Sequence, residues 1–287
     1  MSNTYQPILL NKITDEVVIE ILNAIIPSLK FLKIEYFVVG AFARDVELLA
    51  KGYNDSPSRK TRDLDLAVML SDEKAFNNLK FALSKLDGFE VHQTEPIKLV
   101  YKKSYEVDLL PFGEIVNEKG LVELKAKKTF TLDMPGFAEV YPSTNSITTD
   151  QGFELKVCSL PGVVLLKLIA WEDRNHRTKD IQDIEYIIRN LYLLEIEEIA
   201  SSNGDLLDIL EHEVNFTESV TARYIGRVIG GMLKDSTTLL NRVEQLLMRN
   251  IQDTDNSPMG KIMSFDTLEE SIQVIEQIYL GIKDKTT

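Results

Sequence analysis

Residues 37–70 of the chain read FVVGAFARDVELLAKGYNDSPSRKTRDLDLAVML, and this segment decides the fold. An apolar run ends at Gly40, a helical pattern follows, and a second apolar run opens with Asp63 and Asp65. Side chains at i and i+2 of a strand point to the same face, because side chains alternate with a period of two. Two carboxylates beside a glycine turn that opens a helix predict a site for Mg²⁺ and for the phosphates of a nucleotide.

A third acid in a later apolar run strengthens this prediction. The run 105–110 places Glu106 and Asp108 on one face of a strand, and Asp108 is the better candidate because it is embedded among apolar residues. Three carboxylates from two adjacent strands can hold two metal ions. The alternative interpretation is that these residues are hydrogen-bonded or solvent-facing strand acids with no ligand.

Several residues around the acids are candidates for phosphate binding. Gly40 lets the backbone approach a phosphate at a turn whose helix N-terminus favours anions. Arg44, in the first turn of that helix, is predicted to pair with Asp63 or with a phosphate, or to have only a surface role. The loop before the acids carries three cations that are predicted to grip a triphosphate or an acceptor: Arg59, Lys60 and Arg62.

Composition and charge bound the class of protein. The 287 residues carry a formal net charge of -13, which argues against a large non-specific nucleic-acid surface. No apolar run reaches the roughly 20 residues that span a bilayer, and the N-terminus lacks a signal-peptide pattern. The lone Cys158 excludes an intramolecular disulfide. These features predict a cytoplasmic protein without a membrane segment.

The pattern of elements changes at residues 159–162, Ser-Leu-Pro-Gly, a helix-opening signal. Strands and helices are mixed before it, and helices alone follow it. We therefore predict an α+β protein with one domain over residues 1–158 and an all-helical domain over residues 159–287. At the level of single elements we predict a helix over 72–86 capped by Ser71, a strand over 137–141, and separate helices over 179–190 and 196–201.

One lysine in the helical half lies in apolar surroundings. Burying an unpaired ammonium costs several kcal/mol, so Lys167 is predicted to reach a carboxylate or a phosphate at the interface of the domains. Asp180 and Asp183 follow at i and i+3, on one face of a helix. The alternative interpretation is an ion-pair network that locks two helices together.

These residues resemble the signature of the polymerase-β-type nucleotidyltransferase superfamily. Its Gly-Gly or Gly-Ser turn, Asp-x-Asp strand and later Asp correspond to Gly40-Ala41, Asp63 with Asp65, and Asp108. The first half also looks like the head of CCA-adding and poly(A) polymerases. The second half is similar to the AbiEii-type abortive-infection toxin nucleotidyltransferases, through Lys167, Arg174, Lys179, Asp180 and Asp183. The resemblance covers about residues 35–190.

The resemblance implies a nucleotidyltransferase-type mixed sheet with flanking helices, followed by the helical domain. It also implies a Mg²⁺-dependent enzyme that moves an NMP from an NTP to an acceptor and releases pyrophosphate. The acceptor is a tRNA, a protein or a small-molecule hydroxyl, and an antitoxin-type protein partner is expected. Two Mg²⁺ ions are expected on Asp63, Asp65 and Asp108, with Lys167 as a further catalytic residue. The expected nucleotide-binding residues are Gly40, Ala41, Arg44, Arg62, Lys167 and Asp180.

Position 41 supports a second hypothesis. Ala41 stands where the superfamily has Gly or Ser, so a hydroxyl contact to phosphate is lost. The alternative function is therefore a catalytically silent binding or regulatory protein of a toxin–antitoxin-like system. The presence of all three acids and of Lys167 favours the enzyme.

Overall fold

A computed structural model describes residues 7–55, 63–125 and 129–286 of the chain. The chain divides into two compact units, Met1–Ser159 and Leu160–Thr287. The first unit mixes strands and helices and the second is helical, so the prediction of an α+β protein is confirmed. No helix in the described ranges has the length and apolar character needed to cross a membrane.

A seven-stranded mixed sheet forms the centre of the first unit. The strands of this unit are β1 (Tyr36–Val39), β2 (Leu64–Met69), β3 (Phe89–Val91), β4 (Lys98–Tyr101), β5 (Tyr105–Phe112), β6 (Leu121–Leu124), β7 (Phe130–Asp133), β8 (Asn145–Thr148) and β9 (Glu154–Val157). The order in the large sheet is β3-β4-β5-β2-β1-β9-β8, and β6 pairs with β7 in a second sheet. The β2–β5 and β1–β9 pairs are parallel and the other pairs are antiparallel.

Helices and aromatic rings fill the core of the first unit. Its helices are α1 (Glu16–Leu32), α2 (Gly40–Ala50), α3 (Glu73–Leu83) and α4 (Phe137–Val140), with 3-10 turns at Leu10–Lys12 and Tyr141–Ser143. The Phe37 and Phe112 rings of β1 and β5 meet edge to face, with centroids 5.4 Å apart. Both side chains are fully buried, and burial of a Phe contributes about 1.5–3 kcal/mol. The centre of the sheet is therefore rigidly packed.

Two local predictions for the first unit were wrong. The segment predicted as a strand over 137–141 is helix α4 followed by a 3-10 turn. Phe137 and Tyr141, at i and i+4, both pack against the Phe37 ring. Such residues are one turn apart on a helix but about 13 Å apart on a strand, where they would not share one ring. The cap of α3 is Asp72 rather than Ser71, since an oxygen of Asp72 accepts a hydrogen bond from the Ala75 amide at 2.7 Å.

Six helices are described in the second unit. They are α5 (Leu160–Asp173), α6 (Thr178–Ser202), α7 (Asp205–Ile209), α8 (Phe216–Leu233), α9 (Thr237–Gln252) and α10 (Leu268–Thr286). The predicted break between residues 190 and 196 was wrong, because α6 is continuous there. Residues 191–195, Leu-Tyr-Leu-Leu-Glu, contain no Gly or Pro, and Ile188 and Ile199, about three turns apart on one face, are both buried. The helix therefore continues from one buried residue to the other.

Glycines let α8 and α10 pack backbone to backbone. A Cβ at Gly226 would overlap the Ile278 carbonyl oxygen, and a Cβ at Gly281 would overlap the Arg223 carbonyl oxygen. A Cβ at Gly230 would lie 2.7 Å from the Ile282 carbonyl oxygen. Since real Cβ atoms do not approach this closely, only glycine allows this helix pair.

We expect Gly226→Ala to lower the free energy of unfolding by about 1–3 kcal/mol or more, because the two helices must separate to admit the methyl group. Gly231→Ala is the matched control on the same helix, since its Cβ would meet no described atom within 4 Å. Removing an exposed helical glycine should raise stability by about 0.5–1 kcal/mol. Urea unfolding of the three proteins measures both effects. Equal stability of the two variants would contradict this account of the α8–α10 contact.

Candidate active site

Asp65 and Asp108 are in-register neighbours on the parallel strands β2 and β5. Adjacent strands lie about 4.8 Å apart, and in-register side chains project to the same face. Both residues are partly exposed, whereas Leu64 and Leu66 on the other face of β2 are buried. The sheet therefore brings two of the predicted acids side by side at one face.

Asp63 lies directly before β2 and is exposed. Its charge acts on Asp108. Burial of the Asp108 carboxyl raises its pKa above the usual value, and the neighbouring Lys98 ammonium lowers it. The charges of Glu106 and Asp63 raise that pKa further, so the net shift is upward. Asp63 thus belongs to the same electrostatic cluster as Asp108.

Lys98 is a site residue to which the sequence analysis gave no role. It is the antiparallel partner of Asp108 on β4. Its Nζ lies 2.5 Å from Glu106 Oε2 and 3.3 Å from Asp108 Oδ1. That Asp108 oxygen is buried and accepts no hydrogen bond of good geometry from the described part of the chain. Lys98 therefore supplies positive charge beside an acid that retains free acceptor capacity.

Gly40 lies in close contact with the Asp65 side chain. Its φ of +71° lies in the left-handed region that favours glycine, at the start of α2. Val39, the preceding residue, is the cross-strand partner of Asp65. A Cβ at position 40 would lie 2.5 Å from Asp65 Oδ2. Because glycine has no side chain, the Asp65 carboxylate has room to lie beside the N-terminus of α2.

The remaining candidates of the first unit have different settings. Arg44 pairs with its neighbour Asp45, with 2.8 Å from Nε to Oδ1, and both side chains are largely buried. Ala41 is a partly exposed residue of the first turn of α2. The predicted loop cations Arg59, Lys60 and Arg62 lie outside the described residues.

In the second unit Lys167 lies between two carboxylates of the adjacent helix. Its Nζ is 3.1 Å from Asp180 Oδ1 and 2.5 Å from Asp183 Oδ2. Asp180 Oδ2 is buried and accepts no hydrogen bond from the described residues, although Arg177 Nε lies 3.8 Å away. The structure therefore shows the ion-pair network between helices that the sequence offered as an alternative.

Asp65 and Asp108 fit the requirements of Mg²⁺. Within the described ranges, no three His, Cys, Asp or Glu side chains form a ready-made metal site. Mg²⁺ commonly takes only one or two protein carboxylates and completes its shell with phosphate oxygens and water. Two in-register carboxylates, one with a buried oxygen that accepts no hydrogen bond from the described residues, meet that need.

The family described as "Nucleotidyl transferase AbiEii toxin, Type IV TA system" matches residues 28–251. The match spans well over half of the chain and includes the acids of β2 and β5 and the Lys167 cluster. The chain belongs to the AbiEii family. The suspected resemblance is thereby confirmed, and this AbiEii protein is a nucleotidyltransferase with an α+β fold.

Solved structures similar to this AbiEii chain are distant. The antibiotic-resistance factor ANT(2″)-Ia is 13% identical with a TM-score of 0.39, covering 69% of this chain and 97% of that one. An antigenic nucleotidyltransferase-like protein from Paracoccidioides brasiliensis is 17% identical with a TM-score of 0.40, covering 74% and 95%. The CdnE cyclic dinucleotide synthase of Elizabethkingia meningoseptica is 10% identical with a TM-score of 0.30, covering 96% and 94%. No curated protein matches the chain. The AbiEii assignment therefore rests on the family match.

Proposed function

We propose that this AbiEii protein is a Mg²⁺-dependent enzyme that transfers an NMP from an NTP to an acceptor and releases pyrophosphate. The in-register placement of Asp65 and Asp108 beside Gly40 is the observation that carries the proposal. Asp63, Asp65 and Asp108 are the residues that hold the metal, with two ions expected. When bound, Mg²⁺ supplies positive charge that offsets the charge of the triphosphate.

Asp108 is the residue best suited to take the proton of the acceptor hydroxyl. Burial raises the pKa of its carboxyl, and a raised pKa makes a carboxylate a better general base. The Lys98 ammonium group, 3.3 Å from Asp108 Oδ1, favours the ionised form of that carboxyl and restricts its position. Asp108 Oδ1 accepts no hydrogen bond of good geometry from the described residues, so beside Lys98 it keeps acceptor capacity for a ligand or a proton.

Lys167 and Asp180 are proposed as the nucleotide-binding residues of the helical unit. Two carboxylates of α6 pair with the Lys167 ammonium group and restrict its position. A preorganised cation stabilises the charge that develops on a transferring phosphoryl group. Gly40, Ala41, Arg44 and Arg62 complete the proposed nucleotide-binding set.

The acceptor is proposed to be a tRNA, a protein or a small-molecule hydroxyl. The family is described as the toxin of a Type IV toxin–antitoxin system, which supports an antitoxin-type partner. A catalytically silent nucleotide-binding protein is the second candidate. Two observations favour this second candidate: Asp108 is ion-paired with Lys98, and position 41 is an alanine.

The double substitution Asp63→Asn with Asp65→Asn tests the proposal. We expect NMP transfer from radiolabelled NTPs to total cell RNA or protein to fall by about 10²–10³-fold, because the charges facing the substrate are removed. Calorimetry should show loss of Mg²⁺ binding. Asp87→Asn, an exposed acid outside the site, is the control and should act as wild type.

Each outcome decides between the candidates. Unchanged Mg²⁺ and NTP binding in the double variant would place the site elsewhere. Wild-type binding of NTP and Mg²⁺ without transfer to any acceptor class would favour the silent binding protein.

A further inference from the structure

A cleft of about 440 Å³ opens in the first unit at the start of β1. Lysines line it from two directions. Lys30 and Lys33 come from the end of α1, and Lys156 comes from β9. Tyr36 and Ser146 also line the cleft, and the Tyr36 hydroxyl donates to the Glu154 carbonyl oxygen at 3.3 Å. The volume lies within the roughly 300–1,000 Å³ of ligand pockets.

Two glutamates line the same cleft, and one of them is neutralised. Lys156 Nζ lies 3.2 Å from Glu35 Oε2, and the Tyr141 hydroxyl donates to the same oxygen at 2.7 Å. These hydrogen bonds, the Tyr141 bond first, hold the pKa of Glu35 below its usual value, so the pair contributes no net charge. The second acid, Glu154, faces two remaining cations, Lys30 and Lys33. The cleft is thus positive in a chain of net charge -13.

Lys30 and Lys33 are exposed, and neither side chain has a partner in the described part of the chain. Lys30 lies in the last turn of α1 and Lys33 is the residue that caps it, and both line the cleft. A helix C-terminus attracts cations, but it does not require this pair to border a cleft. Two unpaired ammonium groups at one cleft are available to a ligand.

The backbone at Lys33 is an independent observation. Lys33 caps α1 with a φ of 56°, in the left-handed region. Glycine and asparagine are the usual residues at this position, and other residues adopt it at a cost. This conformation closes the helix, since the Ile34 amide donates to the Leu29 carbonyl oxygen at 3.0 Å, and a lysine at the position places an ammonium group at the cleft.

We propose that this cleft binds a phosphate-bearing ligand, either a free nucleotide or the backbone of a single-stranded RNA. Two unpaired lysines and the serine at position 146 suit a phosphate, which carries several acceptor oxygens and more charge than one carboxylate. The cleft lies at the opposite end of β1 from Gly40, and a four-residue strand is about 13 Å long. It is therefore separate from the Asp65–Asp108 site, and the proposal does not rest on the proposed function.

Fluorescence anisotropy in EDTA tests the proposal, with labelled single-stranded RNA and labelled ADP as separate probes. EDTA removes Mg²⁺, so binding through the metal site does not contribute. We expect wild-type protein to bind at least one probe, more weakly as salt rises. Lys30→Gln with Lys33→Asn should weaken binding about tenfold and reduce the slope of log K against log salt for RNA by about 1.4. Tighter binding of RNA identifies a polynucleotide, and binding of ADP alone identifies a free nucleotide.

The control is Lys12→Gln with Lys119→Gln, which changes the net charge equally at exposed lysines outside the cleft. It should bind as wild type. Asparagine at position 33 suits the left-handed backbone, so thermal melting should show the cleft variant folded and at least as stable. Equal binding by the two double variants, or no salt-dependent binding of either probe by wild type, would overturn the proposal.

Discussion

Gly40→Ala is expected to remove most nucleotidyl transfer activity and to destabilise the protein. A side chain at a φ of +71° costs about 1–2 kcal/mol in backbone energy. The new methyl group would lie 2.5 Å from Asp65 Oδ2, so the carboxylate must move. A displacement of about 1 Å in a catalytic group costs about 10²-fold in rate. Steady-state transfer kinetics and urea unfolding measure the two effects.

Gly152→Ala separates the two causes. Gly152 has a similar φ of +78°, and a Cβ there would meet no described atom within 4 Å. This control should lose comparable stability and keep its activity. If Gly40→Ala retains wild-type kcat/KM, the contact between Gly40 and Asp65 has no role in holding the carboxylate.

Lys167→Met is expected to lower the free energy of unfolding by about 3–5 kcal/mol. The substitution leaves Asp180 and Asp183 without the ammonium group that lies between them. The Lys167 and Asp180 side chains are 11% and 7% exposed, so water compensates little. Removing one partner of a buried ion pair carries this penalty because a charge stays buried and unbalanced. Chemical denaturation is the direct measurement.

The triple variant Lys167→Met, Asp180→Asn and Asp183→Asn is the matched test. Since it removes the uncompensated charges as well, it should recover much of the lost stability while remaining inactive. Lys179→Met, at an exposed position of α6 next to Asp180, should change stability little. A single Lys167→Met variant that unfolds like wild type would show that the network contributes nothing to folding.

The sequence predicted the acids of the site because strand geometry is local. Alternation with a period of two suffices to place Asp65 on one face of its strand, and Asp108 likewise. Their adjacency depends on the parallel pairing of β2 with β5. Lys98 was missed for the same reason, since it reaches Asp108 only through the register of β4 against β5.

Elements decided by packing were harder to predict. The segment 137–141, Phe-Ala-Glu-Val-Tyr, is a short and mostly apolar run whose pattern does not separate strand from helix, and contact with Phe37 decides in favour of a helix. The predicted break in α6 falls on Leu-Tyr-Leu-Leu-Glu at 191–195, which contains no Gly or Pro, and the helix continues through it. Sequence also offered either a carboxylate or a phosphate as the partner of Lys167, and the packing of α5 against α6 provides the carboxylates.

The glycine contact between α8 and α10 has a consequence for the order of folding during synthesis. α8 is synthesised before α10. In the folded unit the backbone at Gly226 is covered by Ile278 and Gly281 of α10, and glycine has no side chain of its own to cover it. Until α10 emerges from the ribosome, the face of α8 that carries Gly226 and Gly230, which are buried in the folded unit, remains exposed to water. Exposed apolar surface of this kind makes nascent chains prone to aggregation. Folding of the helical unit therefore finishes only after its most C-terminal described helix is available.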